Sequence, residues 1–223
     1  TFPWADRPFP SQGLEYQRFR ACYTEHPLLG ARLDAPVPTW ETDVDRVRYP
    51  WLADHVIDGA VVFPGAAYVE MARAAGRSLY DASDLAVADL RLHKAVFLRE
   101  DDVARLVLTV QPDTGAFAIR SRAGGDWVDH VTGVLQVDAL ALPPRRHLAV
   151  PAGTPPVQGC YERFARIGFG YGPAFQRLHA VRAAEGVVEA RLRAPDAPGY
   201  LAHPTVLDAL FHSVLVVADR TFL

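Results

Sequence analysis

The stretch Ala66–Tyr80 limits what this chain can fold into. Ala67, Met71, Ala74, Ala75 and Leu79 recur at helical spacing, and small residues continue around the rest of the circumference. A helix with small residues all around it is expected to be enclosed by other elements rather than half exposed. The chain that follows supplies the wrapping. Leu85–Leu92, Lys94–Leu98, Val103–Gln111, Ala116–Arg122 and Trp127–Val137 read as strands. Leu106, Leu108 and Val110 alternate with their neighbours, which is the two-residue period of a sheet. Gln111–Gly115 and Gly124–Asp126 are turn signals between such runs. Ahead of the helix, Trp40, Thr42 and Val44 share one face of a strand over Pro38–Val47. One enclosed helix with an antiparallel sheet around it is an α+β pattern.

The order then partly repeats. Residues 139–156 hold Pro143, Pro144, Pro151, Pro155 and Pro156 and read as a linker. Val157–Ile167 reads as a helix and Gly168–Pro173 as a glycine-rich turn. Leu178–Ala183 and Val187–Leu192 form a hairpin around Glu185 and Gly186, and Pro204–Ala218 is a second apolar helix. Thr1–Pro10 is rich in proline and aromatics and suits neither a regular helix nor a central strand. The expected organisation is a linker over 1–25, a first unit over 26–138, the proline-rich linker over 139–156 and a second unit over 157–223. In that second unit strands after the helix are expected to be missing.

Composition narrows the function. Of 223 residues half are hydrophobic and 22% charged, which is globular. A net charge of −3 does not suit a nucleic-acid surface. No apolar run approaches the roughly 18 residues of a membrane span, and no signal peptide is visible, so a cytoplasmic protein is expected. Cys22 and Cys160 form no CxxC and are expected to be reduced. HExxH, GxSxG, P-loop and Rossmann spacings are missing from the sequence, and a metal site is not expected.

Three places can carry chemistry. His55–Gly65 (HVIDGAVVFPG) sets an imidazole ahead of Gly59, with Pro64 expected at the first helical position of the enclosed helix. A lone histidine at a strand end is more often structural, but near a helix N-terminus it is also placed to act as a general base on a carbonyl compound. Asp208 and His212 lie four apart and share a helix face. Their apolar neighbours should desolvate the carboxyl and favour its acid form, whereas a solvent-facing pair is the alternative. Within GFGYGPAFQ (168–176), Tyr171 is either a packed plug or a hydroxyl reaching into a site, with Gly170 and Gly172 permitting close approach.

Taken together these stretches resemble one family. His55, Gly59 and Pro64 fit HxxxGxxxxP. Tyr171, Gly172 and Pro173 fit a YGP motif. Asp208 and His212 fit DxxxQ/H inside the HPxxLD run at His203–Asp208, and His26–Gly30 reads HPLLG. The sequence resembles the dehydratase domains of modular type I polyketide synthases over nearly its whole length. The resemblance implies a double hot-dog fold and the syn elimination of water from a β-hydroxyacyl thioester held on the phosphopantetheine arm of an acyl carrier protein. It implies His55 as the base, Asp208 as the acid and His212 holding the Asp208 carboxyl. Tyr171 would hydrogen-bond the β-hydroxyl or Asp208. Backbone N–H groups near Gly59 or at the helix start would polarise the thioester carbonyl. Gly59, Pro64, Phe63, Gly172, Pro173, Leu207 and Phe211 would contact the substrate, in a tunnel also lined by Val61 and Val62. It further implies no cofactor of the domain's own, a homodimer, and partners in the carrier protein and the other synthase domains. A double-bond isomerase, a cyclase and a non-catalytic dimerisation scaffold are the alternatives. The retained His55 and Asp208 favour dehydration.

Overall fold

The structure is a computed structural model that describes residues 26–82, 84–123, 125–137, 158–184 and 187–218. The expected linkers over 1–25 and 139–156 therefore lie outside the described residues, as do Cys22, Gly124 and the Glu185–Gly186 hairpin tip.

The first unit begins with β1 (Ala31–Leu33) and β2 (Thr39–Val44). A short 3-10 turn, Pro50–Asp54, runs directly into β3 (His55–Ile57), β4 (Ala60–Val61) and helix α1 (Gly65–Tyr80). Strands β5 (Leu85–Leu92), β6 (Ala104–Val110), β7 (Ala116–Ala123) and β8 (Asp126–Val137) follow. They join β1 and β2 in a six-stranded antiparallel sheet of order β1-β2-β6-β7-β8-β5. As the small-residue pattern requires, α1 is enclosed: Ala66, Ala67, Tyr68, Glu70, Met71, Ala72, Ala74, Ala75 and Gly76 are all buried. The helix packs on β5, β6 and β8. Trp40, Leu106, Leu108, Val110 and Ile119 close the core from the sheet side.

The second unit contains α2 (Gln158–Arg166), β9 (Phe169–Tyr171), the antiparallel hairpin β10 (Leu178–Ala184) and β11 (Val187–Leu192), and α3 (Pro204–Ala218). Cys160, Phe164, Leu178, Val181 and Val216 form its small core. Among the described residues no helix is long and apolar enough to cross a membrane.

Contacts between elements weld the units. Helix α1 packs against α3. Strand β9 adds to the first unit's short sheet in the order β4-β3-β9, with His55 directly opposite Tyr171 and Ile57 opposite Phe169.

Three local expectations change. Lys94–Leu98 is not a strand, because its partner β4 is only two residues long. The Phe63 N–H bonds to the Val96 carbonyl and the Leu98 N–H to the Val61 carbonyl, leaving one isolated bridge, Val62 with Phe97. Pro64 is the residue before the helix, extended at φ −72° and ψ 144°, and Gly65 opens α1. The glycine-rich Gly168–Pro173 is not all turn, since Phe169–Tyr171 finds a strand partner in β3. That partner lies too far away in sequence for local reading to reveal it.

Candidate active site

The geometry starts from one hydrogen bond. His55 Nδ1 lies 2.7 Å from the Val62 carbonyl oxygen. A carbonyl can only accept, so Nδ1 carries the proton and Nε2 keeps its lone pair. The main chain repeats the tie, with the Val62 N–H bonding to the His55 carbonyl at 3.1 Å. These bonds exist because Asp58 and Gly59 turn the chain tightly between β3 and β4. Both residues have positive φ, 48° and 80°, which is the backbone a two-residue Asp-Gly hairpin demands. The ring is further fixed by Phe175 at 4.9 Å and Tyr171 at 5.7 Å between ring centroids.

The free Nε2 lies 4.0 Å from Oδ2 of Asp208 on α3. His55 is 4% and Asp208 7% exposed, so the two face each other with little water between them. His212, one turn along α3 and fully buried, brings Nε2 to 2.8 Å from the same Oδ2. Its approach is oblique and makes no hydrogen bond, and His212 Nδ1 is likewise without a partner. The i, i+4 spacing places the two side chains side by side but out of line.

Burial pushes the His55 pKa below its ordinary 6.5, and His212 adds to the lowering, while Asp208 and the Val62 hydrogen bond act against it. The neutral imidazole required of a base is thus favoured at neutral pH. Burial, with Asp208 and Tyr161 behind it, raises the Tyr171 pKa and keeps that phenol protonated. Tyr161 is pushed up to about 12, chiefly by burial.

His55, Tyr171, Asp208 and His212 therefore converge from three elements, β3, β9 and α3. The Tyr171 ring packs 4.0 Å from the His212 ring. Its hydroxyl makes no hydrogen bond to Asp208 among the described residues, so the site is held by ring stacking here.

Other expected substrate contacts sit elsewhere. A cavity of about 210 Å³ reaches His55 between Ile57, Val62, Phe63, the start of α1 and the Leu92–Ala95 segment. Phe63 and Val62 line it as expected; Val61, Gly59, Pro64, Gly172, Pro173, Leu207 and Phe211 do not. Gly59 makes the hairpin turn and Pro64 precedes the helix. Val61 packs partly buried against the core. Gly172 and Pro173 belong to a turn docked on Asp54. The Gly172 N–H bonds to the Asp54 carbonyl at 2.8 Å, the Ala174 N–H to its carboxylate at 2.7 Å, and Pro173 is exposed. Leu207 is half-buried, and Phe211 is 57% exposed because Asp208, Ala209 and His212 take the inward face of α3.

The sequence reading missed Glu70, Asp54 and Tyr68. Glu70 is 0% exposed and accepts from His26 Nε2 at 2.9 Å and from the Leu201 and Ala202 N–H groups at 2.5 and 3.0 Å. Its signal was the one acid in a helix crowded with small residues. Asp54 signalled only by its place beside His55. Among the described residues no three His, Cys, Asp or Glu side chains cluster as a metal would need.

Comparison with known proteins places this geometry. Residues 26–122 match the family described as polyketide synthase dehydratase domain, and residues 139–222 the one described as polyketide synthase dehydratase N-terminal domain. The chain is 37% identical over 86% of its length to polyketide synthase GfsE of Streptomyces halstedii, covering 6% of that protein. It is 35% identical over 88% of its length to the mycoketide-CoA synthase of Mycobacterium tuberculosis, covering 5% of it. Thus it spans only a small part of the curated relatives it matches. A solved dehydratase domain of a mycocerosic acid synthase-like polyketide synthase superposes with a TM-score of 0.75. Identity there is 32%, over 85% of this chain and 71% of the other. A structure concerned with dehydratase substrate selection in the borrelidin and fluvirucin polyketide synthases gives a TM-score of 0.74 at 30% identity, over 85% of this chain and 72% of the other. The fold is the double hot-dog of these domains, and the chain belongs to the dehydratase domains of polyketide synthases.

Proposed function

We propose that this chain eliminates water from a 3-hydroxyacyl thioester, with His55 as base and Asp208 as acid. The observation that supports the reading is the 4.0 Å approach of His55 Nε2 to Asp208 Oδ2, both buried, from two different units. A base and an acid this close act on one side of the substrate, which suits syn elimination. His55 Nε2 takes the α-proton. The electrons of that C–H bond become the Cα–Cβ double bond, the Cβ–O bond breaks, and Asp208 in its acid form gives its proton to the leaving oxygen. Water departs, leaving imidazolium and carboxylate, and return of the proton from His55 to Asp208 resets the pair. An α-proton is weakly acidic, so the developing enolate needs help. The first N–H groups of α1 are free of intrahelical acceptors and carry positive partial charge, and Gly65 lines the cavity beside His55. Those donors are placed to polarise the thioester carbonyl.

His212 would orient the Asp208 carboxyl, and Tyr171 would hold both by packing. No electron is transferred and no hydride moves, so the elimination asks for no cofactor beyond the phosphopantetheine arm carrying the substrate. The partners of this reading are an acyl carrier protein, the other domains of the synthase and a second copy of the domain.

Incubation with a 3-hydroxyacyl thioester on a carrier protein, followed by mass spectrometry, tests the reading through loss of one water. His55→Ala should lower the rate about 10²–10⁴-fold. Equal rates for wild type and variant would remove His55 from the mechanism. An unimpaired Asp208→Asn would do the same for the acid.

A further inference from the structure

One buried group around the cavity has no task in this mechanism. Tyr68, one turn into α1, is 3% exposed and its hydroxyl has no hydrogen-bond partner among the described residues. It lines the cavity that reaches His55, on the same helix face as Gly65. The other polar side chains there are engaged. His130 donates from Nδ1 to the Lys94 carbonyl and accepts from the Ser121 hydroxyl at Nε2, both at 2.8 Å. His93 Nε2 lies 2.8 Å from the Thr132 hydroxyl. His55 Nδ1 is bound to Val62. What stays free to meet a ligand in the buried part is His55 Nε2 and Tyr68 Oη, with the exposed Lys94 at the rim. Buried polar groups are nearly always satisfied, and an unpaired one is costly. The Tyr68 ring already packs edge-on against Phe63 at 4.9 Å. Phenylalanine would keep that contact without the stranded hydroxyl.

We infer that the Tyr68 hydroxyl is a substrate-binding group that donates a hydrogen bond to an oxygen of the bound thioester along the α1 wall. This rests on the dehydratase reading and adds a specificity determinant to it. Three substrate oxygens have the required chemistry: the carbonyl next to the reacting carbons, an amide carbonyl of the pantetheine arm, or a carbonyl or hydroxyl oxygen on the acyl chain beyond the reacting carbons.

The test is calorimetric titration of the full chain and of Tyr68→Phe with three non-hydrolysable amide-linked 3-hydroxyacyl probes. The first has a plain alkyl chain on pantetheine. The second carries an additional hydroxyl at C5. The third has the plain chain on a short N-acetyl stub that lacks the distal pantetheine amide. Loss of the hydroxyl should weaken binding about 3- to 10-fold wherever the contact is made. Weakening of both pantetheine probes with the stub spared assigns the contact to the arm. Weakening of the C5-hydroxyl probe alone assigns it to the acyl chain, and weakening of all three to the carbonyl they share. The melting temperature of Tyr68→Phe should hold or rise, because a stranded polar group has been removed. Equal affinities of wild type and variant for all three probes, or no binding by wild type, overturns the inference. Turnover of the matching thioesters is read separately. A wild type that binds but releases no water refutes the dehydratase reading and leaves the subsite standing.

Discussion

Glu70→Ala probes how the two halves of the site are held in register. The Glu70 carboxylate on α1 is fully buried, and three donors converge on it: His26 Nε2, the Leu201 N–H and the Ala202 N–H. Leu201 and Ala202 lie just ahead of α3, which carries Asp208. His26 is fixed for this role, since its Nδ1 accepts from the Leu28 N–H at 3.2 Å and Nε2 must therefore donate. Alanine would leave these donors facing a void. Each stranded donor costs about 1–3 kcal/mol, but the costs do not add fully because water can enter a polar void. Three such costs, only partly additive, total about 3–5 kcal/mol. At about 2–4 °C per kcal/mol for a chain of this size, the melting temperature should fall by about 6–20 °C. Glu70→Gln keeps one acceptor oxygen but turns an amide N–H₂ toward a donor, so its loss should be about 1–3 kcal/mol. Circular-dichroism melts measure both variants, and hydrogen exchange at Leu201 and Ala202 measures the clamp locally. Melting of both variants within about 2 °C of wild type, with exchange at Leu201 and Ala202 unchanged, would refute the argument.

Further expectations follow from the same geometry. Because burial lowers the His55 pKa below 6.5, protonation of the base should cut kcat/KM only below pH 6.5; an acid limb with its midpoint above pH 6.5 would contradict this. His203 is lowered to about 4, by burial first and then by Arg177. Below 6.5 the unfolded chain binds protons that these folded histidines refuse, so their contribution is complete above 6.5 and is lost as pH falls toward 4. Thermal melts should drop across that window, and less steeply in His203→Gln. His212→Ala should lower kcat about 10- to 100-fold by releasing the Asp208 carboxyl, and His212→Gln should restore most of it; equal kcat for the two would deny His212 its orienting role. Gly172→Ala would drive a methyl carbon into the Asp54 carboxylate. It should destabilise by about 1–3 kcal/mol and slow dehydration, and an unchanged melting temperature would show that the turn does not depend on Asp54.

What could be read from sequence divides by range. The enclosed α1 was legible because alanines and glycines crowd every side of it, and the strands β6 to β8 because their alternation and turns are local. His55, Asp208 and His212 were legible through spacing and family resemblance, and the structure brings them together. The β3–β9 pairing was not, because three-residue strands carry too little pattern and their partner lies across the linker. Leu207 and Phe211 were expected in the tunnel wall because they are as apolar as one requires; in the structure Leu207 is half-buried and Phe211 exposed. Rotation about the helix axis decides the matter, and that is set by Asp208 and His212 turning inward. Gly172 was expected to permit close approach, and the group that approaches it is Asp54.

The His55–Tyr171 register bears on exchanging parts between synthases. The proline-rich segment looks like the natural place to cut and rejoin two dehydratases. Yet the base sits on a strand whose hydrogen-bonded neighbour, β9, comes from beyond that segment, and Asp54 and Glu70 reach across the same divide. A hybrid joined there inherits its acid and base from different parents, along with mismatched strand, turn and clamp. Crossovers placed before His26 or after α3 keep every such pair within one parent.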